Sequence, residues 1–155
     1  MYRKEFMSLA VAEARIGIKY KHGGPFGAVI VKNGKVIASG HNCVLKEKDS
    51  TCHGEISVIR KAEKALNTYD LSGCELYTTA EPCPMCLGAI LWANIEKVYY
   101  GCSAEDAEVI GFRDKKFEKM FGGYSKKLDS TLEQKDQEMC LEVFEEYEAM
   151  EGEVY

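Results

Sequence analysis

The sequence predicts a three-layer α/β/α domain around a mixed sheet of about five strands, and three observations carry that prediction. The first is an opening hairpin, in which an apolar run at 26–31 meets the turn dipeptide Asn33-Gly34 and a second strand pattern at 36–39. The second is alternation. Helical patterns follow at 52–66, 84–93 and 134–147, and between them stand short apolar strand patterns at 75–79 and 97–101. Strands joined through helices run largely parallel and carry helices on both faces. The third is size: 155 residues with 46% apolar side chains fill one core and leave a second cramped, so residues 1–155 read as a single domain.

Each element has its own signal. Over 2–20, Phe6, Leu9, Ala10, Ala14 and Ile16 recur near helical spacing, and His22-Gly23-Gly24-Pro25 ends that helix. Asp49-Ser50-Thr51 offers N-cap residues for the helix at 52–66, whose Ile56, Ile59 and Ala62 face inward. Glu81-Pro82 breaks the strand at 75–79, and Pro84 suits the first turn of the next helix. A short helical patch at 104–110 follows the strand at 97–101. Met139, Val143, Phe144 and Tyr147 make the last helix amphipathic, and the acidic tail beyond it reads as a solvated surface.

Composition removes several function classes. A net charge of −5 argues against a protein that lives on nucleic-acid phosphates. The longest apolar runs, 27–31 and 87–93, are far too short to span a bilayer, and no charged-then-apolar leader opens the chain. Seven cysteines cannot all pair, so they read as reduced thiols in a cytoplasmic protein.

Three of the residues stand in metal-ligand order. His53 opens one helix, and Cys83 and Cys86 open another, where a Cys-x-x-Cys spacing turns both sulfurs to one side of the first turn. The positive end of the helix dipole favours thiolate there. Two thiolates and one imidazole hold Zn²⁺ with a fourth tetrahedral position open to water. A structural zinc site would want a fourth ligand, and no second Cys-x-x-Cys exists. Glu55, two residues beyond His53, is placed beside the metal without ligating it, as a carrier of protons from water to a leaving amine. That is the machinery of hydrolytic deamination. His22 and His41 read as loop histidines.

His53-Gly54-Glu55 with Pro82-Cys83-Pro84-Met85-Cys86 resembles the zinc deaminases of nucleobases and nucleosides, over nearly the whole chain. The resemblance implies the cytidine-deaminase-like fold. Within the family, the stretch 24–31, the stretch 81–90, and Gly111-Phe112 with Asp114 are most similar to bacterial guanine deaminases, whose chains also end in tyrosine. By that likeness the substrate is a small nucleobase, most simply guanine, hydrolysed to xanthine and ammonia. Asn42 would hydrogen-bond its edge, Phe26 would stack on it, and Asp114 would bind or protonate it. Tyr155 would close the pocket from a partner subunit, with about 134–155 exchanged in a homodimer. Gly40-His41-Asn42 and the His53–Ser57 stretch are instead similar to fungal cytosine deaminases, and Gly54, where the family usually has alanine, would remove a methyl group near the substrate. The stretch 122–131 carries no motif that the resemblance places.

Cytosine, guanosine and the tRNA anticodon adenosine are the rival substrates. Outside deamination stand a non-catalytic zinc module and a thiol oxidoreductase built on Cys83 and Cys86. A thioredoxin-like site needs a proline loop to face it, and no proline follows Cys86.

Overall fold

The computed structural model describes residues 1–123, 128 and 131–155, and the unmatched stretch 122–131 lies mostly outside them. In chain order the elements are α1 (Lys4–Lys19), β1 (Gly27–Lys32), β2 (Lys35–His41), α2 (Val44–Glu47), α3 (Gly54–Leu66), β3 (Cys74–Ala80), α4 (Pro84–Trp92), β4 (Lys97–Cys102), α5 (Ala104–Val109), α6 (Asp114–Met120), β5 (Leu132–Gln134) and α7 (Gln137–Ala149). The sheet order is β2-β1-β3-β4-β5. β1 pairs antiparallel with both β2 and β3, whereas β3, β4 and β5 run parallel. The sheet is therefore mixed in equal parts rather than largely parallel.

The hairpin turn forms because Asn33 and Gly34 both take positive φ, 50° and 73°, which a two-residue connection of right-twisted strands demands. Strand alternation then sorts the core into two layers. Val29, Val31, Tyr77 and Tyr99 face one side, under α1 and α7. Ala28, Ile30, Leu76 and Val98 face the other, under α3 and α4. Continuous apolar strands are what a sheet covered on both faces requires. On the first side Arg15 of α1 pairs with Glu142 and Glu146 of α7 at 3.2 and 3.0 Å, so the last helix docks on its own chain's first.

Several sequence expectations need correction. The N-cap of α3 is His53, not the Asp49–Thr51 stretch; Asp49 Oδ1 instead accepts from the Thr51 amide at 2.8 Å and closes a local turn. Nothing in the sequence pattern predicts α2, α6 or β5. α7 begins at Gln137, after Asp136 takes a left-handed conformation. Among the described residues no helix is long and apolar enough to cross a membrane.

Candidate metal centre and its cavity

The two helices of the second layer bring the ligand-type residues together. His53 is the N-cap residue of α3 and Cys83 that of α4, both with extended backbone, and Pro84 fixes the first helical position after Cys83. Cys86 falls one turn into α4, on the same side as Cys83. The donors of His53, Cys83 and Cys86 all lie within 4.8 Å of one another. His53 Nδ1 is 3.5 Å from Cys83 Sγ and 3.5 Å from Cys86 Sγ. Tetrahedral zinc with ordinary Zn–N and Zn–S bonds sets an N···S edge of about 3.6 Å, so the donor set and its spacing fit that ion.

The cluster is electrostatically asymmetric. The hydrogen bond from Cys86 is the main force drawing the Cys83 thiol down to about 4, and His53 adds to it. The same bond, with burial, pushes Cys86 well above the usual thiol range. Burial alone would disfavour charged His53, yet the contact with Cys83 leaves its pKa raised. Cys86 is fully buried and Glu55 is 5% exposed.

Glu55, on the first turn of α3, is held at both oxygens. Thr78 Oγ1 donates to Oε1 at 2.7 Å, and Cys86 Sγ donates to Oε2 at 3.2 Å. Burial raises the Glu55 pKa, which suits a group that must both take and release a proton. Thr78 is absent from the sequence-based site. Its one signal is a pair of adjacent threonines inside an otherwise apolar strand.

A cavity of about 750 Å³ opens over the cluster. Phe26, Asn42, His53, Glu55, Cys83, Asp114 and Tyr155 all line it, and Cys86 stands behind them. Phe26 serves the core as well, with its ring edge-to-face on Phe112 at 4.9 Å and on Phe144 at 5.5 Å. Asn42 is 1% exposed and combines two roles that its sequence position left open. Its Oδ1 accepts from the Val44 amide at 3.0 Å, a side-chain turn, while the residue still borders the cavity. Asp114 opens α6; burial, then the nearby Cys83 thiolate, lifts its carboxyl to about 7. Tyr155 reaches the cavity of its own chain, where its hydroxyl accepts from the Gly24 amide at 2.9 Å and its ring meets Phe112 edge-on.

Gly54 does not behave as expected. A methyl group there would meet the backbone of Phe26, Gly27 and Asn42 at 3.4 to 3.7 Å, ordinary contact, and Gly54 is not among the cavity-lining residues. Of the two expected loop histidines, His41 instead ends β2, and each has a side-chain partner. His22 Nδ1 lies 2.8 Å from His41 Nε2, and His41 Nδ1 lies 2.7 Å from Glu13 Oε2. A carboxylate only accepts, so His41 donates from Nδ1 to Glu13. Cys43 stands near both rings. Two imidazoles sharing one tetrahedral zinc would hold their nitrogens about 3.3 Å apart, so this second group is a hydrogen-bonded chain.

Residues 1–102 match the model of a family described as the cytidine and deoxycytidylate deaminase zinc-binding region. Over 114 residues the chain is 50% identical to the guanine deaminase of Bacillus subtilis (strain 168), covering 74% of this chain and 73% of that protein. It is 44% identical over 100 residues to the tRNA-specific adenosine deaminase of Aquifex aeolicus (strain VF5), covering 64% of this chain and 66% of that protein. The X-ray structure of the Bacillus subtilis guanine deaminase superposes with a TM-score of 0.75 at 41% identity, covering 96% of this chain and 95% of that one.

Proposed function

Because this chain belongs to the cytidine and deoxycytidylate deaminase zinc-binding family, we propose that it is a zinc-dependent aminohydrolase converting guanine and water to xanthine and ammonia. The observation that carries the reading is the convergence of His53, Cys83 and Cys86, at tetrahedral spacing, beside a buried carboxylate at the floor of one cavity. Zn²⁺ bound by those three residues supplies a Lewis acid that makes water nucleophilic near neutral pH. Glu55 takes the proton from the attacking water and delivers it to the departing amine of C2. Thr78 fixes one oxygen of that carboxylate, and the other, bonded to the Cys86 thiol here, is released for the reacting groups when Cys86 gives up its proton to bind the metal. Phe26 stacks on the purine, its ring braced by Phe112 and Phe144. Asn42 meets the purine edge with its amide nitrogen, since Oδ1 is engaged by Val44. Asp114, its carboxyl lifted to about 7, holds or protonates the ring, and Tyr155 closes the cavity.

Two observations favour guanine among the rival bases. Gly54, the feature shared with cytosine deaminases, does not border the cavity, so it does not reshape the base site. A net charge of −5 is ill suited to a folded RNA, which supports a free base over tRNA. Seven unpaired thiols suit a reducing, cytoplasmic setting. A homodimer belongs to the same proposal and is read by light scattering on the purified protein; exchange of 134–155 between copies would make the contacts of Arg15 with α7 and of Gly24 with Tyr155 between chains instead of within one.

The test is ammonia release from guanine, cytosine, guanosine and an adenosine-bearing tRNA anticodon stem, beside a metal analysis. Guanine is expected to react fastest, with about one zinc per chain. Glu55→Gln is expected to keep the metal and lose turnover. Faster release from any of the other three substrates refutes guanine as the substrate. Native-like turnover by Glu55→Gln refutes its role.

A further inference from the structure

The turn between α1 and β1 carries two adjacent glycines, and backbone conformation does not explain them, because neither has positive φ. Space does. A Cβ at Gly23 would stand 2.1 Å from Asn42 Oδ1 and 2.7 Å from the Asn42 carbonyl oxygen. A Cβ at Gly24 would stand 2.7 Å from the Phe26 ring, 2.9 Å from the Tyr155 hydroxyl and 3.0 Å from the Phe112 ring. Such separations lie well inside carbon–carbon contact. The Gly24 amide also donates to the Tyr155 hydroxyl at 2.9 Å. Three of the groups approached, Asn42, Phe26 and Tyr155, border the cavity.

The turn cannot simply retreat to make room. The His22 carbonyl accepts from the Leu45 and Lys46 amides at 3.0 and 2.9 Å, and the His22 amide donates to Gly17. The His22 ring is tied through His41 to Glu13. Pinned from behind, the turn sets its front face against two side chains that come from distant parts of the chain.

We propose that Gly23 and Gly24 are positioning residues, which set how far Asn42 and Tyr155 enter the cavity and so hold the base in line for attack. The proposal rests on the guanine deaminase reading, since it takes both side chains as contacts of the base. A methyl group at Gly24 presses on the Phe26 ring and the Tyr155 hydroxyl; one at Gly23 presses on the Asn42 amide. A misplacement of about 1 Å at a reacting centre costs about a hundredfold in rate.

The experiment is a double-mutant cycle on guanine deamination with Gly24→Ala and Tyr155→Phe, each variant checked for bound zinc and for its melting curve. Gly24→Ala is expected to lower kcat/KM about a hundredfold with native zinc content. Tyr155→Phe removes one of the three groups that the new methyl strikes, the Phe26 and Phe112 rings remaining, so in that background Gly24→Ala is expected to cost about twofold to fivefold less. Equal fold-losses in the two backgrounds overturn the proposal. If Gly24→Ala does not fold, Tyr155→Phe alone decides: it is expected to raise the KM for guanine about tenfold through loss of the Gly24 contact, and a native KM overturns the proposal. Native protein inert toward guanine brings down the functional reading and this proposal together. Active native protein with equal losses brings down the positioning role alone.

Discussion

Replacing Thr78 by valine tests how the carboxylate of Glu55 is held. The Thr78 side chain is 1% exposed, and its single hydroxyl proton has two acceptors, Glu55 Oε1 at 2.7 Å and the Ala80 carbonyl at 3.1 Å. The shorter contact goes to the carboxylate. Valine keeps the shape and removes only the donor, so no cavity is made. A hydrogen bond to a charged group contributes about 1.5–3 kcal/mol, and it is worth most where water cannot replace it, as at Glu55. Losing it raises the Glu55 pKa further and frees the carboxylate to turn, so less of it is charged and aligned at neutral pH. At about 1.4 kcal/mol per tenfold in rate, kcat/KM should fall about tenfold to a hundredfold. The assay is ammonia release from guanine by Thr78→Val and Thr78→Ser, with zinc measured in each. Serine restores the donor and should recover most of the rate. Native rates in Thr78→Val, or equal losses in both variants, refute the argument that this hydroxyl orients Glu55.

Two further predictions concern stability. The hydrogen bond from His41, with help from Ser39, holds the Glu13 carboxyl below its ordinary value of 4.5 despite partial burial. A depressed carboxyl stabilises the fold above its unfolded pKa, and that share is lost as pH falls through the lower folded value. Glu13→Gln should therefore lower the melting temperature at neutral pH and flatten its decline in acid; an unchanged acid slope contradicts the linkage. Gly101 on β4 lies beneath α7, where a Cβ would stand 2.2 Å from Cys140 Sγ and 2.6 Å from Cys140 Cβ. Gly101→Ala should destabilise by about 1–3 kcal/mol in urea unfolding as α7 is forced off the sheet, and a native midpoint would show that the helix shifts freely.

What could be read from the sequence divides by the kind of force involved. The hairpin was legible because Asn33-Gly34 encodes its own backbone angles. The strands were legible because both faces of the sheet are covered, leaving unbroken apolar runs. α6 was not, since Asp114–Met120 has no apolar stripe and Glu118 is its buried residue. Its neighbourhood is organised by charge, with Lys115 at 2.6 Å from Glu105 and 3.1 Å from Glu118. β5 is three residues paired on β4 alone, too short for any period. Among site residues, His53, Glu55, Cys83 and Cys86 were legible because few residue types bind zinc or carry protons and their spacing falls at helix starts. Thr78 was not, because a threonine in a strand has many ordinary uses. The His22–His41 contact joins residues 19 apart and exists only once α1 and β2 have packed.

One residue at the start of α3 sets two demands against each other. A helix begins best with serine, threonine, aspartate or asparagine, whose side chain bonds the first free amides and contributes about 1 kcal/mol. His53 holds that position and makes no such bond, its ring being turned to the sulfurs. A campaign that selects variants for heat tolerance alone would therefore reward the exchange of His53 for a better cap, and would enrich sturdy proteins unable to retain the ion. Thermostabilising this chain calls for a screen that scores product formation in every round.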